Sequence, residues 1–347
     1  MKTIPLTCWL IALVGVPCMA RTADPRIDKI FAQWDTPSSP GCALAVVHNT
    51  ALDYARGYGV ANLELNVPIT PQTVFDIGSV SKQFTASALL LLVDEGKLTL
   101  DDPLSRHVPE LPVWAHTITV GQLMHQRSGI PEYVGLLEAQ GFQISDRTTE
   151  DQTLQALVTV PKLEFQPGSQ FEYSNSNYLL LGEIVHRVSE EPLPQFLTEQ
   201  IFHPLDLAMV VDPTGPIPDK AIAYEKGSGD YRATKPGWEQ IGDGGIQTTP
   251  SQLVYWADNY RTGRVGGPKL LTAQLAGAVP TEPGGADSYG AGIYLLANGT
   301  LDHDGAWGGF VTAFRVSKDR TTSLAISCNT DKQDPEALAD SLGKLWM

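Results

Sequence analysis

Apolar and polar positions follow two regimes along the chain. Towards both ends the apolar runs are short and bounded by turn residues, which predicts strands. Cys42 to Val47 (CALAVV) follows Pro40-Gly41 and reads as a buried strand. Leu52 to Val60 reads as its neighbour after a turn near Asn49-Thr50. Tyr289 to Ala297, Leu301 to Asp304, Phe310 to Val316 and Ser323 to Cys328 read as further strands. Between the ends helical spacing prevails. It predicts helices from Ser79 to about Gly96, Glu150 to Val158, Asn177 to Val188, Leu193 to Ile201 and Ser251 to Tyr260. Ile27, Ile30, Phe31 and Trp34 mark an early helix, and Asp334 to Trp346 a closing one. The order of elements predicts an α+β fold. Its mainly antiparallel sheet would be formed by both chain ends and flanked by helices, with a large helical subdomain over about 100–265.

Residues 1–20, MKTIPLTCWLIALVGVPCMA, stand apart. Lys2 precedes a mostly apolar stretch from Ile4 to Val16, and Cys18-Met19-Ala20 ends on small residues. This is the form of a secretory signal peptide cleaved after Ala20. The expected location is therefore secreted or periplasmic, with one domain over 21–347. The apolar stretch is short for a bilayer span, and no stable membrane insertion is expected after signal removal. Cleavage would take away Cys8 and Cys18 and leave Cys42 and Cys328 as the one candidate pair.

Composition narrows the function classes. The 347 residues carry 24 Lys+Arg against 39 Asp+Glu, a formal charge of −15. A nucleic-acid partner is excluded, because a phosphate binder needs a basic footprint. The seven histidines show neither HExxH nor paired ligand spacing, and there is no CxxC. Gly121 and Gly244-Gly245 fit neither glycine-rich phosphate pattern. No metal or organic cofactor is expected. The remaining partner is a small-molecule or peptide substrate, and the sequence leaves the oligomeric state open.

Three separated fragments carry chemistry. Ser79-Val80-Ser81-Lys82 places a hydroxyl and an ammonium three residues apart, on one face of a helix. A desolvated lysine can activate a serine nucleophile, and a helix N-terminus favours a developing oxyanion. Tyr173-Ser174-Asn175 lies in a turn before a helix. Tyr173 can exchange a proton near a lysine, and Asn175 can orient a substrate amide or merely cap the helix. His303-Asp304-Gly305 lies where a strand ends, before Ala306 and Trp307. Gly305 lets a substrate approach the backbone. The backbone amides of Ser79 and Ala306 are then candidate oxyanion donors.

In this order the fragments resemble the SxxK, YxN and K/H-x-G motifs of the serine β-lactamase and penicillin-binding-protein superfamily, in its class C-like branch. That branch includes DD-peptidases, D-aminopeptidases, class C β-lactamases and related esterases. Leu123 to Pro131, Asn177 to Asp206 and Gly244 to Thr249 also look like the family. The resemblance implies Ser79 as acylated nucleophile, Lys82 and Tyr173 as the proton-handling pair, and Asn175 as the group that orients substrate. It places His303 and Gly305 on the wall strand beside the scissile bond, and His125 outside catalysis. It also implies that the first and last strands are antiparallel neighbours, so that Cys42 and Cys328 could form a disulfide.

His303 stands where potent class C β-lactamases carry lysine. A mostly neutral imidazole weakens capture of a substrate carboxylate. The expected activity is an acyl-serine hydrolase acting on amides such as D-amino-acid peptides or β-lactams. Alternatives are a carboxylesterase, which Trp307-Gly308-Gly309 keeps open, and a non-catalytic penicillin-binding or sensing module.

Overall fold

The structure is a computed structural model that describes residues 20–227 and 229–347. The expected signal peptide, residues 1–20, lies outside the described residues apart from Ala20. The main elements, in chain order, are α1 (Pro25–Phe31), β1 (Cys42–His48), β2 (Ala51–Tyr58), α2 (Lys82–Asp94), α3 (Glu150–Val158), α4 (Asn175–Ser189), α5 (Pro250–Thr262), β3 (Val279–Pro280), β4 (Ser288–Tyr289), β5 (Tyr294–Leu295), β6 (Leu301–Trp307), β7 (Phe310–Val316), β8 (Thr322–Cys328) and α6 (Pro335–Trp346).

The eight strands form one antiparallel sheet in the order β3-β4-β5-β6-β7-β8-β1-β2. Strands from the two chain ends meet inside it, where β1 pairs with β8. The register sets Cys42 opposite Cys328 and Ala45 opposite Ala325. Both cysteines are fully buried, and a disulfide joins them across a sequence separation of 286 with Cα atoms 4.0 Å apart.

Side chains alternate between the sheet faces. Leu44, Val46 and Ile326 pack with Ile27 and Phe31 of α1 and Leu338 and Leu342 of α6. Ala45, Val47 and Ala325 pack on the other face with Leu253, Val254 and Trp256 of α5 and with Phe84 of α2. α2 is buried on nearly every side, polar residues included, which is the pattern of a helix in the middle of a core.

Several sequence expectations change in detail. The single strand expected over Tyr289 to Ala297 is instead β4 and β5, two short strands joined by a turn. Gly292 takes φ +72° in that turn, and a Cβ there would lie 2.6 Å from the Lys82 carbonyl oxygen. The helix expected from Ser79 starts with a tight 3₁₀ turn, Gly78–Ser81, and α2 ends at Asp94. Within 100–265 the helices are joined by small strands. Ile246–Thr248 pairs with both Phe75–Asp76 and Val210–Val211. Strands of two or three residues are too short to show a period. Among the described residues no helix is long and apolar enough to cross a membrane.

Candidate active site

The 3₁₀ turn carrying Ser79 is fixed from two sides. Asp76 accepts the Gly78 amide at 2.8 Å and a Gln247 side-chain hydrogen at 2.6 Å. From the other side β6 lies directly against the turn. A Cβ on Gly305 would fall 2.0 Å from the Ile77 carbonyl oxygen and 2.9 Å from the Ser79 nitrogen. Only glycine lets this strand approach the serine so closely.

Lys82, the first residue of α2, is fully buried. Its Nζ lies 2.9 Å from Ser79 Oγ, 2.7 Å from Asn175 Oδ1 and 2.7 Å from the Asp243 carbonyl oxygen. Burial pushes its ammonium down to about 8, against the opposing pull of the Asp243 and Glu132 carboxylates. The Tyr173 ring stands 4.9 Å from Nζ. The Tyr173 hydroxyl is closed off from water and makes no hydrogen bond of good geometry among the described residues. Burial raises it well above the ordinary tyrosine value, and the Ser79 hydroxyl pulls the other way.

The loop carrying Tyr173-Ser174-Asn175 is held by Gln126, a buried residue in left-handed backbone (φ +57°). Gln126 Oε1 accepts from the Ser174 amide at 3.0 Å, and the Gln126 carbonyl accepts from Glu172 at 2.9 Å. α4 begins at Asn175, two residues before the expected start. Its N-cap Ser174 makes no side-chain capping bond. Instead Glu132 Oε2 accepts the Asn175 amide at 2.6 Å, a carboxylate where the helix dipole favours one. Asn175 is left free to turn its side chain to Lys82.

The structure thus brings Ser79, Lys82, Tyr173, Asn175, Gly305 and Ala306 together from three stretches of chain. Ser79 and Ala306 line both of the clefts that meet there. His303 differs from expectation. It is only 1% exposed. Its Nδ1 donates to the Asp304 carbonyl at 2.7 Å, and its Nε2 accepts from the Tyr289 hydroxyl at 3.3 Å. Burial lowers its pKa to about 3. His303 is a neutral ring with both nitrogens engaged inside the protein, so it has no free group for a substrate. His125 also stays structural, between the carbonyls of Gly121 and Ala276.

Sequence reading missed Glu132, Tyr133, Trp238 and Asp243. The first cleft is lined by Tyr133, Asn175, Trp238, Asp243 and Trp307 along with Ser79. Tyr133 donates to Asp243 Oδ2 at 3.0 Å. Burial lifts the Asp243 carboxyl above its ordinary range, and Lys82 pulls it back down. Glu132 and Asp243 each adjoin a segment already singled out, one just past Pro131 and one just before Gly244. The second cleft is lined by Tyr173, Asp287, Asp302, Asp304 and Glu336. No Lys or Arg lines either cleft among the described residues.

The protein flp of Staphylococcus aureus (strain MW2) is 33% identical over 172 residues, 48% of this chain and 34% of that protein. The D-aminopeptidase of Gluconobacter oxydans (strain 621H) is 27% identical over 282 residues, 78% of this chain and 52% of that protein. The matches therefore span about a third to a half of these curated relatives. The octameric penicillin-binding protein homologue from Pyrococcus abyssi superposes with a TM-score of 0.78 at 26% identity, over 88% of this chain and 73% of that one. The β-lactamase family model matches residues 27–344, and the chain belongs to that family of serine hydrolases.

Proposed function

We propose that this chain is an acyl-serine hydrolase of small amides and peptides, in which Ser79 is the nucleophile and Lys82 its base. The observation that carries this is the hydrogen-bond set around Lys82 Nζ. Two of its three partners, Asn175 Oδ1 and the Asp243 carbonyl, can only accept. A neutral amine has two hydrogens and one lone pair. Donating both hydrogens to these acceptors turns the lone pair to Ser79 Oγ at 2.9 Å. Burial, which disfavours the ammonium, supports the same state.

Ser79 Oγ attacks the substrate carbonyl carbon and its proton passes to Lys82 Nζ. The oxyanion forms between the backbone amides of Ser79 and Ala306. Tyr173, whose burial keeps it protonated, donates its hydrogen to the leaving nitrogen as the carbon–nitrogen bond breaks, and recovers a proton from Lys82. Water then releases the acyl group from Ser79. Asn175 orients the substrate, and Gly305 gives the backbone approach. His303 holds the wall strand from inside.

Among amides, the site favours substrates that need no carboxylate anchor. His303 is neutral and occupied, and neither cleft is lined by a Lys or Arg among the described residues. This weighs against β-lactams and towards peptides or amides. The activity named for the Gluconobacter oxydans relative supports a D-residue beside the scissile bond. The Cys42–Cys328 bridge supports a secreted or periplasmic location, where disulfides persist.

The test is labelling by a fluorophosphonate, with Ser79→Ala as control, followed by turnover of three chromogenic substrates. These are a cephalosporin, a D-alanyl p-nitroanilide and a p-nitrophenyl ester. Labelling lost in Ser79→Ala and fastest turnover of the anilide, relative to its uncatalysed rate, support the reading. Labelling that survives in Ser79→Ala overturns it. Preference for the ester moves the assignment to a carboxylesterase.

A further inference from the structure

The first cleft holds a carboxylate with an unmet need. Asp243 is 8% exposed. Its Oδ2 accepts from Tyr133, but its Oδ1 has no hydrogen-bond partner among the described residues. A buried carboxylate oxygen without a donor costs about 1–3 kcal/mol or more, and such an atom asks for an explanation. Lys82 does not supply it, because its nitrogen is committed to the Asp243 backbone carbonyl, to Asn175 and to Ser79.

The surroundings specify the missing donor. Three aromatic rings line the cleft beside Asp243. Tyr133 and Trp238 have centroids 6.3 Å apart, and Trp238 and Trp307 are 5.7 Å apart. Trp238 is anchored from behind, its indole N–H donating to the Gln143 carbonyl at 2.9 Å. Aromatic faces with a carboxylate attract a cation more strongly than a neutral donor. The Glu132 carboxylate adds negative potential, since it raises the proton affinity of both Asp243 and Lys82.

Position decides which part of the substrate lies there. Tyr173, the proton donor for the leaving nitrogen, lines the second cleft and not the first. The leaving group therefore departs towards the second cleft, and the acyl part of the substrate faces Asp243.

The geometry points to a subsite for an ammonium group on the acyl side of the substrate, formed by Asp243 with Tyr133, Trp238 and Trp307. This inference rests on the acyl-serine reading and narrows it. The favoured substrates are amides of amino acids, or peptides, with a free amine close to the scissile carbonyl.

The experiment compares three p-nitroanilides that share a leaving group: D-alanyl, N-acetyl-D-alanyl and propionyl. The last keeps the shape of the alanyl group without its nitrogen. The wild type is expected to turn over the D-alanyl compound with kcat/KM at least about ten-fold above the other two, the scale of one hydrogen bond to a charged group. Asp243→Asn is expected to lower kcat/KM for the D-alanyl compound about ten-fold more than for the propionyl one. A wild type that treats the D-alanyl and propionyl compounds alike overturns the subsite, and this needs no variant to fold. A loss in Asp243→Asn that is equal for all three compounds also overturns it, because Asp243 would then act only through Lys82. In both cases hydrolysis persists and the acyl-serine reading stands. No turnover of any acyl compound, with no labelling of Ser79, overturns both.

Discussion

Tyr289 donates its hydroxyl hydrogen to Nε2 of His303 across 3.3 Å, while Nδ1 of the same ring donates to the Asp304 carbonyl. A second proton on this ring would oppose the Tyr289 contact and place a charge in a buried site. Its folded pKa, about 3, lies far below the ordinary 6.5. The unfolded ring therefore takes up a proton first as pH falls. Stability linked to His303 is complete above about pH 6.5 and is lost as pH falls towards 3. The slope from this one group is at most about 1.4 kcal/mol per pH unit. Denaturant midpoints measured from pH 7 down to pH 4 should fall more steeply for the wild type than for His303→Gln. Parallel curves would mean that His303 is not held neutral.

Lys82 must shed its proton to accept one from Ser79. Its pKa is about 8, so kcat/KM for an uncharged ester should rise with pH through that region and level off above it. The Glu132 carboxylate raises the proton affinity of Lys82. Glu132→Gln keeps an oxygen for the Asn175 amide and removes the charge. Its midpoint should move to lower pH. A midpoint that stays, or moves upward, would show that the rising limb belongs to another group.

The parts of this site visible in the sequence are those whose chemistry is local. Ser79 and Lys82 are one turn apart, Tyr173 and Asn175 two residues apart, and the buried strands around Cys42 and Cys328 carry short apolar runs, CALAVV and LAI. What stayed hidden depends on distant packing. Asp243 and Glu132 sit in loops, where an acid is normally solvated. Only the docking of Tyr133 and Lys82 from other stretches makes Asp243 a buried carboxylate, and only the approach of the Asn175 amide gives Glu132 its place at the start of α4. The turn between β4 and β5 was hidden for the opposite reason. Tyr289, Ala291 and Ile293 alternate like residues on one strand face, and the requirement for glycine at Gly292 comes from the Lys82 and Gln83 backbone it packs against. His303 looked like a wall residue because strand position is legible, whereas the aromatic side chains that enclose it come from β4 and β5.

Gly305 sets the distance between β6 and the nucleophile. With a Cβ 2.0 Å from the Ile77 carbonyl oxygen, Gly305→Ala must push the strand away from the Ser79 turn. A displacement near 1 Å at a reacting centre costs about 100-fold in rate. The rate of Ser79 labelling by a fluorophosphonate should drop by about that factor in Gly305→Ala. Labelling at the wild-type rate would show that the strand does not define the oxyanion site.

The Cys42–Cys328 bridge ties together two neighbouring interior strands, its cysteines 286 residues apart in sequence. It closes a loop over most of the described chain. Closing so long a loop restricts the unfolded state far more than a short one, and loss of a native bridge costs about 2–5 kcal/mol. Both sulfurs are buried beneath α1 and α6, so reductant should reach them only after unfolding. Residues 21–347, expressed into an oxidising compartment, should show no free thiol when titrated in denaturant without reductant. Adding reductant to the denaturant should lower the unfolding midpoint of the wild type. The Cys42→Ser/Cys328→Ser double variant should unfold at that lower midpoint with or without reductant. Two titrating thiols in the untreated protein, or identical midpoints for all samples, would show that the sheet is held by its hydrogen bonds and packing alone.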